Sequence, residues 1–325
     1  MQQQIQGGSR MIIVNLKGRL GNQLFQWAAA RYLCHFTGSK ISLHTGEKDR
    51  RQGIKPPLMN FNLPTKSSQP ADFREVFFPF KKFSKQLQQL LPHVHYYRKS
   101  HIKSLLDLEN FARFTGHNRF FLNGYFMSSH IAEVVRPQLL QDLVLREDFS
   151  KSRQHYLAHA TQPNTVALHI RRGDFLKQDI HKIYGVCTPD YYIRALKFLG
   201  AKLGVLQPLV FSDDIEWCKQ TLSNIPNITF FDVLPDGKDV QDFMIMSKCA
   251  HQIIANSTFS WWAAYLNQNP DKQIVAPFPW KAQKEHANNR FLMDDWHRID
   301  KYRLPTYDSS LSPRHGQDSI NAPVR

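Results

Sequence analysis

The sequence holds no run of eighteen apolar residues, so a transmembrane helix of ordinary length is not expected. The opening segment MQQQIQGGSR lacks the hydrophobic centre of a secretory leader, and a cytoplasmic location is the expectation. Cysteine is scarce, with 4 in 325 residues and no CxxC pair. Cys187, Cys218 and Cys249 are equally spaced, but their surroundings GVCTPD, EWCKQ and SKCAH share nothing. They read as reduced, packed thiols and not as a repeat, a zinc site or a disulfide framework. Strict Asp-x-Asp is absent, as are His/Cys/Asp clusters at metal-ligand spacing, and a site without a metal is the working expectation. The GxGxxG dinucleotide fingerprint and the Lys-Ser/Thr of a P-loop are missing too. Acidic residues are the minority charge, 27 against 42 basic, for a net +15. That field favours anionic partners without naming one: a nucleotide, a nucleic acid or an acidic lipid headgroup.

What is present suffices for about two domains with proper cores: 325 residues, 42% of them hydrophobic and 12% aromatic. MIIVNL (11–16), then KGRLGNQ, then LFQWAAARYLCHF reads as strand, glycine turn and helix, because Leu24, Trp27, Ala28, Arg31 and Tyr32 recur at helical spacing. Between 45 and 80 there are five prolines and little periodicity, which suggests loops and short elements. From Thr165 the pattern is regular. Strand candidates lie at 165–170, 208–211, 228–231, 252–255 and 273–276. The helices between them are expected to run from Pro189 to Gly200, to begin near Asp213 and Asp214, and to cover roughly 240–250 and 258–267. Such alternation implies βαβ units and a doubly wound parallel domain over about 160–300. Its ligand crevice would lie beyond the strand ends at Ile170, Phe211, Phe231 and Ala255. From Lys301 the chain reads as a fraying tail.

Four groups along the chain are candidates for chemistry. In HIRRGD, Arg171 and Arg172 follow a strand and make a fixed cationic clamp for phosphate oxygens, with Asp174 able to orient one of them; a plain Arg/Asp surface pair has the same pattern. NSTFSWW opens a helix whose free N–H groups, with the hydroxyls of Ser257, Thr258 and Ser260, suit an anion; N-capping by Asn256 or Ser257 is the simpler use. Trp261 and Trp262 read as core. In GRLGNQ, Gly18 and Gly21 permit a sharp turn, and Arg19 and Asn22 offer donors. Asp213, Asp214 and Asp242 could accept from a guanine edge, although helix-start charge explains Asp213 and Asp214 better. Finally, residues 74–103 carry seven Lys/Arg against one Glu among aromatics. The stretch reads as a solvated basic face, with a membrane or nucleic-acid patch as the rival.

Taken in order, GRLGNQLFQWA, HIRRGDF, FSDDIEWC and DFMIMSKCAHQIIANSTFSWWAAYLN resemble the bacterial alpha-1,2-fucosyltransferases of glycosyltransferase family 11 over roughly residues 11–280. The resemblance implies an α/β fold of GT-B type, two Rossmann-like doubly wound domains facing across a cleft. The N-terminal, acceptor-side domain would be 1–160, the donor-binding domain 161–300 and the tail 301–325. It implies GDP-β-L-fucose as donor, a terminal β-galactoside as acceptor and inversion at the anomeric carbon, with no metal or other cofactor. Arg171 and Arg172 would hold the diphosphate, with Asp174 alongside them in the catalytic group. His169 and Asp242 would contact guanine, Ser257, Thr258 and Ser260 would lie by the β-phosphate, and Arg19, Asn22 and Gln23 near phosphate and fucose. No general base is assigned. Two alternatives stay open. One is a transferase of the same fold acting on protein or using another nucleotide sugar. The other is a basic RNA- or membrane-binding protein whose nucleotide site has lapsed; no nucleic-acid signature accompanies it. The positive charge would suit a lipid-linked acceptor and peripheral contact at the inner membrane face.

Overall fold

The computed structural model describes residues 11–45, 55–67, 94–97, 119–232, 239–282 and 292–302. The first sheet is five-stranded and parallel. It contains β1 (Met11–Leu16), β2 (Lys40–Thr45), β3 (Thr65–Ser67), β4 (Val94–Tyr97) and β5 (Arg119–Leu122), in the order β3-β2-β1-β5-β4. β1 is buried along almost its whole length, as a central parallel strand covered on both faces must be. Helix α1 (Leu20–Thr37) follows it. Three short helices, α2 (Ser129–Val134), α3 (Arg136–Asp142) and α4 (Lys151–Ala160), lead to the second sheet.

The second sheet is six-stranded and also parallel. It is built from β6 (Thr165–Ile170), β7 (Gln207–Ser212), β8 (Thr229–Phe230), β9 (His251–Ile253), β10 (Ile274–Phe278) and β11 (His297–Asp300), in the order β11-β10-β9-β6-β7-β8. Helices α5 (Gln178–Tyr184), α6 (Pro189–Leu203), α7 (Ile215–Leu222), α8 (Asp239–Met246) and α9 (Thr258–Leu266) connect its strands. Both strand orders reverse beside their first strand, between β1 and β5 and between β6 and β9. These are the topological switch points at which such sheets open a crevice.

Several boundaries differ from expectation for local reasons. α6 runs past Gly200 to Leu203 and stops at Gly204, whose φ of 81° leaves the right-handed region. α8 ends at Met246, and β8 is only two residues long. Lys301, the first residue of the expected tail, is anchored, and residues 303–325 lie outside the described residues. The Lys301 side chain is fully buried, and its ammonium donates to the carbonyls of Tyr184 and Trp280, the latter at 3.0 Å. Burial pushes the amine down to about 8. Of the basic stretch 74–103, only Val94–Tyr97 falls within the described residues. No helix among the described residues is long and apolar enough to cross a membrane.

One hydrophobic cluster joins the two sheets where α1 meets α9, and a second packs the other face of the second sheet against α6 and α7. Phe25 lies 4.9 Å from Trp261 and 4.8 Å from Trp262, and all three rings are fully buried. Truncating any of them would cost about 3–5 kcal/mol. Gly21 makes the approach possible, since a Cβ there would stand 2.5 Å from the Thr258 carbonyl carbon. α3 is tied to α1 through Asp142, which accepts from Trp27 Nε1 at 3.0 Å and pairs with Arg31 at 2.9 Å. Burial pushes this carboxyl up, and the Arg31 charge draws it back.

Candidate active site

The carboxyl end of β6 carries the arginines. Pairing of Ile170 with Ser212 in the β6–β7 ladder sets residues 171 and 172 beside Asp213 and Asp214. Arg171 Nη1 pairs with Asp213 Oδ2 at 2.8 Å and Nη2 with Asp174 Oδ1 at 2.5 Å, and the guanidinium sits 5.6 Å from the Phe175 ring centre. Arg172 Nε donates to Asp214 Oδ2 at 3.0 Å, and its guanidinium lies flat against Trp217, 3.7 Å from the ring centre. The Arg172 backbone N–H donates to Asp213 Oδ1 at 2.9 Å. Asp213 and Asp214 stand at the start of α7, where Asp214 is the N-cap residue, and their carboxylates are turned to orient the arginines and not to cap the helix. That role depends on strand adjacency across more than forty residues of sequence. A guanidinium has five N–H donors, so Arg171, locked by two carboxylates, keeps others for an incoming anion.

Behind the arginines His169 is buried at the end of β6, tilted against Phe259 at 5.6 Å. Burial, with the Arg171 charge added, pushes its imidazole down to about 3, so the ring is neutral. Its Nδ1 is buried without a hydrogen-bond partner among the described residues. A polar atom in that condition either costs stability or waits for a ligand.

The other half of this switch point is the start of α9. Ser257 caps it, its Oγ accepting from the Phe259 N–H at 3.3 Å, and Asn256 braces the turn by donating to the carbonyls of Tyr184, Gly185 and Trp280. Thr258 Oγ1 donates to Asn22 Oδ1 at 3.2 Å, linking the second sheet to the glycine turn of the first. The amino ends of α1 and α9 thus converge, each presenting free N–H groups and a partial positive charge.

Not every residue singled out in the sequence opens on this crevice. Ser260 is fully buried and donates to the carbonyls of Ala255 and Ser257, so it shapes the loop. Gln23 is buried as well, donating to Gly18 O at 2.9 Å and accepting from Leu58 N at 3.1 Å. Arg19 is exposed at the amino end of α1. Facing it is Asp239, which the sequence reading passed over; its carboxyl is pushed up by burial and held down by the Arg19 charge. Asp242 is forked by Arg153, a buried residue of α4, with Nε on Oδ1 and Nη2 on Oδ2 at 3.1 Å. A guanine edge and a guanidinium fork compete for the same two-oxygen face of a carboxylate. Asp242 in this state can offer a base only its outer lone pairs. Nothing in KSRQHYLAHA, the sequence of α4, marks Arg153 as a partner for Asp242, because the two are 89 residues apart.

Two parallel sheets joined between the turn after β1 and the start of α9 have the architecture of the GT-B glycosyltransferases. The Arabidopsis thaliana FUT1 R284K mutant in complex with GDP shares the fold, with a TM-score of 0.50 and 10% identity over 84% of this chain and 71% of that one. The family profile described as Glycosyl transferase family 11 matches residues 1–300. The chain belongs to glycosyltransferase family 11, as the motifs led us to expect, and is a glycosyltransferase. It is 28% identical to the Escherichia coli O-antigen biosynthesis glycosyltransferase WbnK over 86% of this chain and 98% of that protein. A second Escherichia coli relative, an alpha-1,2-colitosyltransferase, is 38% identical over 42% of this chain and 48% of its own. Mouse galactoside 2-alpha-L-fucosyltransferase Sec1 is 26% identical over 79% and 64% respectively.

Proposed function

We propose that the protein is an inverting alpha-1,2-fucosyltransferase that moves L-fucose from GDP-β-L-fucose to the 2-hydroxyl of a terminal β-galactoside. The observation that carries this reading is Arg171, held rigid by Asp174 and Asp213 at the end of β6, on the strand paired with β9, which leads into the amino end of α9. Transfer through an oxocarbenium-like sugar builds negative charge on the departing β-phosphate. An oriented guanidinium and a helix amino end aimed at that oxygen stabilise the transition state more than the ground state. In this reading they supply the positive charge, so turnover needs no divalent ion.

Arg172 holds the second phosphate, and the neutral His169 offers its unpartnered nitrogen to the nucleotide. Arg19, Asn22, Ser257 and Thr258 line the sugar-phosphate side. The identities of the relatives support a fucosyl donor, and the colitosyltransferase relative makes a colitosyl donor the specific second reading.

Incubation with GDP-fucose or a colitosyl donor, against β-galactosides and a protein acceptor, with and without EDTA, tests all of this. The expected product is an α-1,2 linkage by NMR, unaffected by chelation. Arg171→Ala should lose roughly 10²- to 10³-fold in kcat. Near-normal turnover in that variant refutes the assignment.

A further inference from the structure

At the first switch point the chain leaves β5 through Asn123, Gly124 and Tyr125 toward the crevice, beside the glycine turn that leaves β1. Asn15 Nδ2 donates to Asn123 Oδ1 at 3.0 Å and fixes the two strand ends together. The next residue, Phe126, is fully buried yet holds a φ of 51°. A bulky side chain in the left-handed region is sustained only where its surroundings over-determine it, and such positions gather at ligand clamps. The consequence is that Tyr125 is turned outward, 38% exposed, on a loop anchored at both ends.

On the other wall, Phe175 connects the arginine loop to Tyr184. Its ring is 5.6 Å from the Arg171 guanidinium and stacks on Tyr184 at 5.3 Å, with 25° between the planes. Tyr184 is braced from behind, its carbonyl accepting from both Asn256 and Lys301. The Lys281 ammonium lies 5.5 Å from its ring centre. The two walls are joined through the start of α9: Asn256 holds the Tyr184 carbonyl, and Thr258, two residues on, bonds Asn22 in the turn after β1, the strand paired with β5. Two walls of aromatic surface, with a cation beside one of them, suit the apolar face of a pyranose whose hydroxyls accept from an ammonium.

Resting on the fucosyltransferase reading, we infer that Tyr125 and Tyr184 form an acceptor subsite that stacks the sugar following the accepting galactose. The Tyr184 ring lies one aromatic contact beyond the ring that touches Arg171, which is past the reacting centre and not on it.

The test compares lactose with methyl β-galactoside as acceptors. The wild type is expected to show a lower KM for the disaccharide. Tyr125→Ala should raise the lactose KM by about tenfold, leaving the methyl galactoside KM and GDP affinity unchanged, whereas Tyr125→Phe keeps the preference because it keeps the ring. An equal KM for both acceptors in the wild type, or an undiminished preference in Tyr125→Ala, overturns the inference. Ligand-observed NMR of the two sugars on the GDP-loaded protein reads the subsite without turnover. If no donor is transferred, the fucosyltransferase reading fails alone. Lactose binding that Tyr125→Ala abolishes still supports the subsite, and equal binding by both proteins sinks it.

Discussion

Gly21→Ala isolates the contact on which the crevice depends. The added methyl would stand 2.5 Å from the Thr258 carbonyl carbon and 2.6 Å from the Phe259 nitrogen. These are backbone atoms of the first turn of α9, so no side chain can swing aside. Ordinary contact lies near 3.5 Å, and α1 and α9 must separate by about 1 Å. Overpacking of this kind costs about 1–3 kcal/mol. At about 2–4 °C per kcal/mol in a large domain, Tm should fall by several degrees. The separation also moves the Ser257 turn away from Arg171, and a displacement of about 1 Å can lower turnover on the order of 100-fold. Gly38→Ala is the control, with a φ of 64° but open space around the new Cβ; it should cost about 1 kcal/mol of backbone strain and leave kcat intact. Calorimetry and steady-state kinetics on both variants decide the matter. A Gly21→Ala protein with wild-type Tm and wild-type kcat would refute the close approach of the two helices.

Three further outcomes follow from the same geometry. The folded-state depression of His169 to about 3 means that below about pH 6.5 the unfolded chain binds a proton that the native state refuses. Its contribution is complete above pH 6.5 and is lost as pH falls toward 3. Urea unfolding across that range should show the acid-linked loss in the wild type and less of it in His169→Phe. Arg172→Lys removes the planar stack on Trp217 and the Nε bond to Asp214. It should raise the donor KM while lowering Tm by only a few degrees, as expected for a cation–π contact worth about 1–2 kcal/mol. Lys301→Met removes the charged donor to the carbonyls of Tyr184 and Trp280 and leaves Asn256 as their remaining partner. A loss of about 1–3 kcal/mol is expected in chemical denaturation, and an unchanged midpoint would contradict the burial of this ammonium.

What could be read along the chain was local. Apolar runs such as MIIVNL and TVALHI, the proline at the start of α6 and the helical spacing of Leu24, Trp27 and Ala28 report their own neighbourhoods. They were enough for one doubly wound unit over about 160–300, for the strand, turn and helix that open the chain and for the arginines at a strand end; the second doubly wound unit was implied by the family resemblance alone. The stop expected at Gly200 was passed over, and the backbone conformation of Gly204 ended the helix instead. The working arrangement of the site belongs to tertiary structure because its partners are distant in sequence. Asp213 and Asp214 became the arginines' supports through the β6–β7 register. Asp242 acquired Arg153 from α4, Gln23 turned inward to Leu58, and Lys301 folded back under Tyr184. A carboxylate's role is set by which charge lies within a few ångströms of it, and sequence fixes residue type and local path but not that neighbour.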